Sequence, residues 1–117
     1  KEKISVALKK FYKNMAKHII NARLEYFNEH YKFRYENVSI KELKTRWGSC
    51  STKRNLNFNW KLVLAPPPVL DYVVVHELCH LGHMNHSNAF WSLVNETTQA
   101  HKKHRKWLRD NGHFLDL

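Results

Sequence analysis

Glycine and proline are scarce, three of each in 117 residues, and only two cysteines occur, Cys50 and Cys79. Two cysteines cannot build a disulfide framework, so a small disulfide-stapled secreted scaffold is excluded and a reducing, cytoplasmic location is expected. No apolar run reaches the roughly 20 residues that a membrane-spanning helix needs. The longest, Val69 to Val75, is interrupted by Asp71. The opening Lys1-Glu2-Lys3 leads into an amphipathic stretch and not into a signal-peptide core. There is no initiating methionine, as in a trimmed or excised domain. Acidic residues are few: ten Asp and Glu face twenty Lys and Arg, a net charge of +10. Repeats, linkers and low-complexity segments are missing as well, so residues 1–117 read as a single domain, taken as a monomer.

What is present is a core-forming composition, 43% hydrophobic and 13% aromatic, which excludes wholesale disorder. Residues 4 to about 30 contain no Gly or Pro. Ile4, Leu8, Phe11, Met15, Ile19 and Phe27 recur at helical spacings, so one amphipathic helix of roughly 40 Å is expected. Aromatic and β-branched residues from 36 to 43, then 44–51 and 55–60, predict three short strands, the last two joined by the polar turn Ser51-Thr52-Lys53-Arg54. Pro66-Pro67-Pro68 ends what precedes it, and a proline suits the first turn of a helix, expected from 68 to 81 with Gly82 as its stop. Ser87 is a candidate N-cap for a third helix carrying Phe90, Trp91 and Leu93. A last helical stretch, 99–110, is polar and anchored by Trp107 and Leu108. The fold class is α+β, with a small, mostly antiparallel sheet.

Basic residues gather at both ends: Lys1, Lys3, Lys9, Lys10, Lys13 and Lys17, then Lys102, Lys103, Arg105, Lys106 and Arg109. They suit a polyanion such as DNA, or simply a solvated surface. Neither cluster carries a base-reading motif.

Nine histidines are many for this length, and two of them stand in His76-Glu77-Leu78-Cys79-His80, an H-E-x-x-H pattern. On a helix, positions i and i+4 share a face, so two imidazoles can grip one metal ion while the adjacent glutamate reaches the open coordination position. Glu77 can then take a proton from an activated water. Two histidines downstream can supply the third ligand. His83 would lie on the same face if the helix continued, about 10 Å from His76 along the axis, which strains a tetrahedral site. His86 can return from another direction if Gly82 ends the helix, and the tetrahedral demand favours it. The site is therefore read as one Zn2+ held by His76, His80 and His86, with Glu77 as general acid/base. His18, His30, His101, His104 and His113 read as solvated side chains, and both cysteines as structural.

Four blocks make the sequence similar to a known family. Thr45-Arg46-Trp47-Gly48-Ser49-Cys50-Ser51, Leu56-Asn57-Phe58-Asn59, Asp71 to Leu81 and Asn85-His86-Ser87 with Phe90-Trp91 resemble the YgjP-like metallopeptidases, relatives of the SprT-like zinc proteases. The resemblance runs over about residues 5 to 110. It implies a minimal zincin, with a long helix, a small sheet and an active-site helix. It implies the same ligands, His76, His80 and His86, and the same catalytic Glu77. The strand Thr45 to Ser51 would lie near the cleft. Two cysteines cannot form the zinc ribbon that SprT-like proteins often add.

The leading function is a zinc-dependent peptidase acting on peptide or protein, with substrate laid along an edge strand. Tyr72 and Arg46 are candidates for contacting substrate at the oxyanion. A second reading is hydrolysis of nucleoside triphosphates at the same site, which the positive charge favours and the lack of a P-loop disfavours. A third is a basic nucleic-acid-associated module that retains the metal; three protein ligands argue against a purely structural site, which four usually close. A metzincin fits less well, because Gly82 falls one position early.

Overall fold

A run without glycine or proline forms helix α1, Val6–Tyr31. Ser5 caps its start, the hydroxyl accepting from Leu8 N–H at 3.1 Å. Lys32 ends it in the left-handed region at φ 56°, its N–H donating to Asn28 C=O. The computed structural model describes residues 5–112; Lys1, Lys3, Ile4 and His113 of the sequence reading lie outside them.

The buried face of α1 matches the expected one at Phe27 and differs from it toward the N-terminus. Ala16, Ile20, Leu24 and Phe27 face the core. Leu8 and Phe11 are exposed, and Met15 and Ile19 are only half-buried. The helix carries two overlapping apolar stripes, and small Ala16 and the stacking of Tyr12 on Trp60, 6.3 Å between ring centroids, decide between them. The first turns of α1 therefore project past the core, with Val6 86% exposed.

Three strands follow: β1 Asn37–Lys41, β2 Gly48–Cys50 and β3 Asn55–Asn59. The order is β1-β3-β2, so β3 is central and β2 forms an edge. β2 and β3 make the expected antiparallel hairpin, Ser49 opposite Asn57. β1 pairs parallel with β3, Val38 opposite Leu56, so the sheet is mixed where mostly antiparallel pairing was expected. The reason is the insertion of β3 between its two predecessors. In the hairpin turn Arg54 takes φ 68°, and its N–H closes the turn onto Ser51 C=O. Leu56 and Phe58 point into the core from the inner face of β3.

A 3-10 turn, Trp60–Leu64, then carries the chain to the prolines and was not anticipated from periodicity. Helix α2, Pro67–Cys79, starts with prolines in its first two positions. It is buried on almost every side, which explains its run of Val73, Val74 and Val75. Arg23 of α1 holds it by a two-pronged ion pair with Asp71, 2.8 and 3.0 Å. Helix α3, Asn88–Asn95, and helix α4, His101–Asn111, complete the α+β fold. Trp107 and Leu108 of α4 pack on Ala65 and Val69, as expected of anchors. No helix among the described residues is long and apolar enough to cross a membrane.

Candidate metal centre

α2 stops at Cys79, three residues before Gly82. Gly82 does not adopt a positive φ, so it is not the left-handed stop anticipated above. Its role is close approach: a Cβ there would come within 2.8 Å of the Phe33 ring. Phe33 is fixed in turn by Asn28, whose side chain accepts from Phe33 N–H at 2.9 Å and donates to its C=O at 2.8 Å. The end of α1 thus sets the turn that brings the chain back over α2.

After that turn Ser87 caps α3, accepting from Phe90 N–H at 3.2 Å, and this cap fixes the residue before it, His86. His76, His80 and His86 come together. Their ring centroids form a near-equilateral triangle, 4.8 Å for His76–His80, 5.1 Å for His76–His86 and 4.8 Å for His80–His86. A nitrogen from each lies within 4.8 Å of the others. The Nε2 atoms of His80 and His86 are 3.1 Å apart, close to the separation of two nitrogens bound to one zinc at about 2.0–2.1 Å each. His83 is exposed and outside the triangle; it contributes its backbone C=O, which accepts from Nδ1–H of His80 at 3.0 Å. That bond orients the ring and leaves Nε2 with its lone pair toward the other two histidines.

Phe90, fully buried, forms the floor under all three imidazoles, stacking on His80 at 4.4 Å. Trp91 lies nearly parallel to His86 at 5.7 Å. Burial, and then the neighbouring imidazoles and Arg105, holds His86 below its ordinary value of 6.5. Burial also lowers His80, against the opposing bond to His83 C=O. Neutral imidazoles are the ligand form, so the donor set suits zinc: three nitrogens, with a fourth position left to water or substrate.

Glu77 is 5% exposed and one of its oxygens lies 3.2 Å from Nδ1 of His76. Edge strand β2 runs past it at Gly48. Beside these residues is a cleft of about 360 Å³, lined by Arg46, Trp47, Gly48, Tyr72, His76 and Glu77, and closed by Arg105, Leu108 and Arg109 of α4. Both substrate candidates, Arg46 and Tyr72, face it. The Tyr72 hydroxyl is pushed up to about 12 by burial, so it stays protonated, and it bonds to nothing among the described residues. Cys50 is held up to about 11, by burial and then by Glu77, and Cys79 up to about 12 by burial; neither is a nucleophile.

Sequence reasoning missed several residues here. Asn59, 4% exposed, donates to Leu43 C=O at 2.9 Å and Arg46 C=O at 3.2 Å, and so clamps the loop that delivers Arg46. Its signals were its place in the Leu56-Asn57-Phe58-Asn59 block and at the end of an alternating strand. Arg105 and Arg109 were legible only as basic charge.

A crystal structure of the metallopeptidase zymogen abylysin of Pyrococcus abyssi shares this fold, with a TM-score of 0.67 at 21% identity over 77% of this chain and 93% of that one. The metallopeptidase zymogen jannalysin of Methanocaldococcus jannaschii is also similar, with a TM-score of 0.54 at 28% identity over 70% and 80%. Comparison with curated proteins finds no match. The YgjP-like metallopeptidase domain profile matches residues 1–111, which spans the sheet, the three histidines and α4. The chain belongs to the YgjP-like metallopeptidase family.

Proposed function

We propose that the chain is a zinc-dependent peptidase in which His76, His80 and His86 hold one ion and Glu77 is the general acid/base. The observation that carries this is the convergence of three imidazoles, two of their Nε2 atoms 3.1 Å apart, beside a buried carboxylate at an open cleft. A bound zinc supplies Lewis acidity, which acidifies water and polarises the scissile carbonyl. Glu77 accepts the proton of the attacking water and passes it to the departing amine. The Tyr72 hydroxyl, protonated and without a hydrogen-bond partner among the described residues, donates to the carbonyl oxygen as negative charge develops there. Edge strand β2 offers its free backbone groups to an extended peptide, which places the scissile bond beside Glu77. Family membership favours this reading over nucleoside triphosphate hydrolysis.

The domain is residues 1–117 acting as one unit, and with both cysteines free its proposed location is the cytoplasm. DNA, if it is a partner, is assigned to α1 and not to α4. Lys10, Lys13 and Lys17 line one shallow groove on α1. On α4, Lys103 and Lys106 line a different groove from Lys102 and Arg105.

The test is Glu77→Gln. The expected result is unchanged metal content and thermal midpoint, with hydrolysis of a peptide library reduced about 10²–10⁴-fold. Wild-type turnover by the variant would remove Glu77 from the mechanism. Zinc-loaded protein that cleaves no peptide would overturn the function.

A further inference from the structure

Three arginines line the cleft beside the histidines, and among the described residues no carboxylate engages two of them. Arg46 arrives on the clamped loop before β2, and Arg105 and Arg109, four residues apart, come from one face of α4. Among the described residues neither Arg46 nor Arg105 forms an ion pair. Arg109 has a 3.4 Å contact with Asp110, whose carboxylate is already bonded to Lys106 at 2.6 Å. Among the described residues, the only carboxylate lining the cleft is Glu77.

Arg105 is the best placed of the three. Its guanidinium lies 5.5 Å from the centre of the Trp91 ring, and Trp91 lies in turn on His86. Stacking of this kind restrains an arginine side chain while leaving its N–H donors free. All three side chains are exposed, so solvent screens their mutual repulsion and an entering anion can reach them. The planar fork of an arginine fits a carboxylate in two-pronged fashion.

Resting on the peptidase reading, we propose that this cleft selects peptides with a carboxylate close to the scissile bond, bound by Arg105 with Arg46 and Arg109. The cleft is small, about 360 Å³, so the carboxylate must belong to a residue at or next to the bond cleaved. Two sources share this chemistry. An Asp or Glu side chain would make the protein an acid-directed endopeptidase. A free C-terminus would make it a carboxypeptidase.

The experiment measures kcat/KM of the zinc-loaded chain on matched peptides. One series has an amidated C-terminus with internal Glu or Gln; the other lacks acidic side chains and ends in a free acid or an amide. The expected result is a preference of about ten- to hundredfold for the carboxylate member of one series, which identifies the source. Arg105→Gln brings that ratio toward one, and Arg105→Lys restores part of it. The zinc-loaded Glu77→Gln protein should bind the preferred peptide, and not its amide counterpart, by tryptophan fluorescence. Equal cleavage of carboxylate and amide peptides overturns the selectivity and leaves the peptidase function standing. Cleavage of no peptide overturns both.

Discussion

Gly48 and Glu77 touch so closely that no larger residue fits between them. A Cβ at Gly48 would lie 2.9 Å from Glu77 Cγ and 3.1 Å from one carboxylate oxygen, with Asn57 C=O on its other side at 3.0 Å. The glycine is needed for this approach and not for an unusual φ. Gly48→Ala must therefore displace the carboxylate or the edge strand. We expect kcat/KM to fall about ten- to hundredfold, less than loss of the base, which costs about 10²–10⁴. Metal content should stay at the wild-type level. Kinetics with parallel metal analysis check this, and an unchanged rate would mean that Glu77 has room to yield.

The division of labour between His83 and His86 is equally testable. His86 contributes its ring to the triangle, whereas His83 contributes a backbone carbonyl. His86→Ala should weaken zinc binding by more than about 100-fold, since loss of outer partners alone costs 10–100-fold. His83→Ala keeps the carbonyl and should bind zinc within about twofold of wild type. Competition with a chromophoric chelator measures both. Comparable losses in the two variants would contradict the assignment.

Acid should destabilise the metal-free protein through its buried histidines. Burial, helped by Lys102 and Arg105, holds His101 below 6.5; burial and Lys103 do the same to His104, against Asp71. Burial also lowers His80 and His86. For a histidine lowered by folding, the unfolded chain binds protons first. Stability is then full above about 6.5 and falls as the pH drops below it. The urea midpoint should be lower at about pH 5.5 than at about pH 7.5. His101→Gln should reduce that difference, and His101 is a clean probe because it is buried against Trp91 and outside the histidine triangle. A larger midpoint at the lower pH would reverse the sign of this argument.

Much of this site was legible because its parts are local. The i, i+4 spacing of His76 and His80 carries their shared face, and Ser87 carries the start of α3 that fixes His86. Less legible was whatever depends on distant segments meeting. The two apolar stripes of α1 have the same period, and only its packing against Trp60 selects the one through Ala16. β1 lies parallel to β3 because a strand inserts between neighbours, which alternation along a single strand cannot encode. Gly82 looked like a helix stop; its demand comes from Phe33, 49 residues earlier. Arg46 and Arg105 share a cleft from segments 59 residues apart, and no spacing rule links them.

The basic C-terminal cluster has a different meaning in three dimensions. A helix turns 100° per residue, so neighbouring charges on α4 diverge. Arg105 and Arg109 line the metal cleft. Lys103 and Lys106 face a groove with Pro66 and Pro68, and Lys106 is paired with Asp110. Lys102 lies toward Asn88 and Asn95. Arg105 also lines the groove of Lys102, but Lys103 and Lys106 do not share it. On α1, Lys10, Lys13 and Lys17 share one groove, while Lys9 is engaged by Glu42 at 3.1 Å. Replacing Lys10, Lys13 and Lys17 by Gln should lower the log–log salt slope of DNA binding by up to about three units. Replacing Lys102, Lys103 and Lys106 should change it by less than about one. Titration of duplex DNA over a range of salt decides between the two helices. A slope carried by the α4 lysines would return the contact to that helix, and no binding at low salt would leave both clusters as solvated charge.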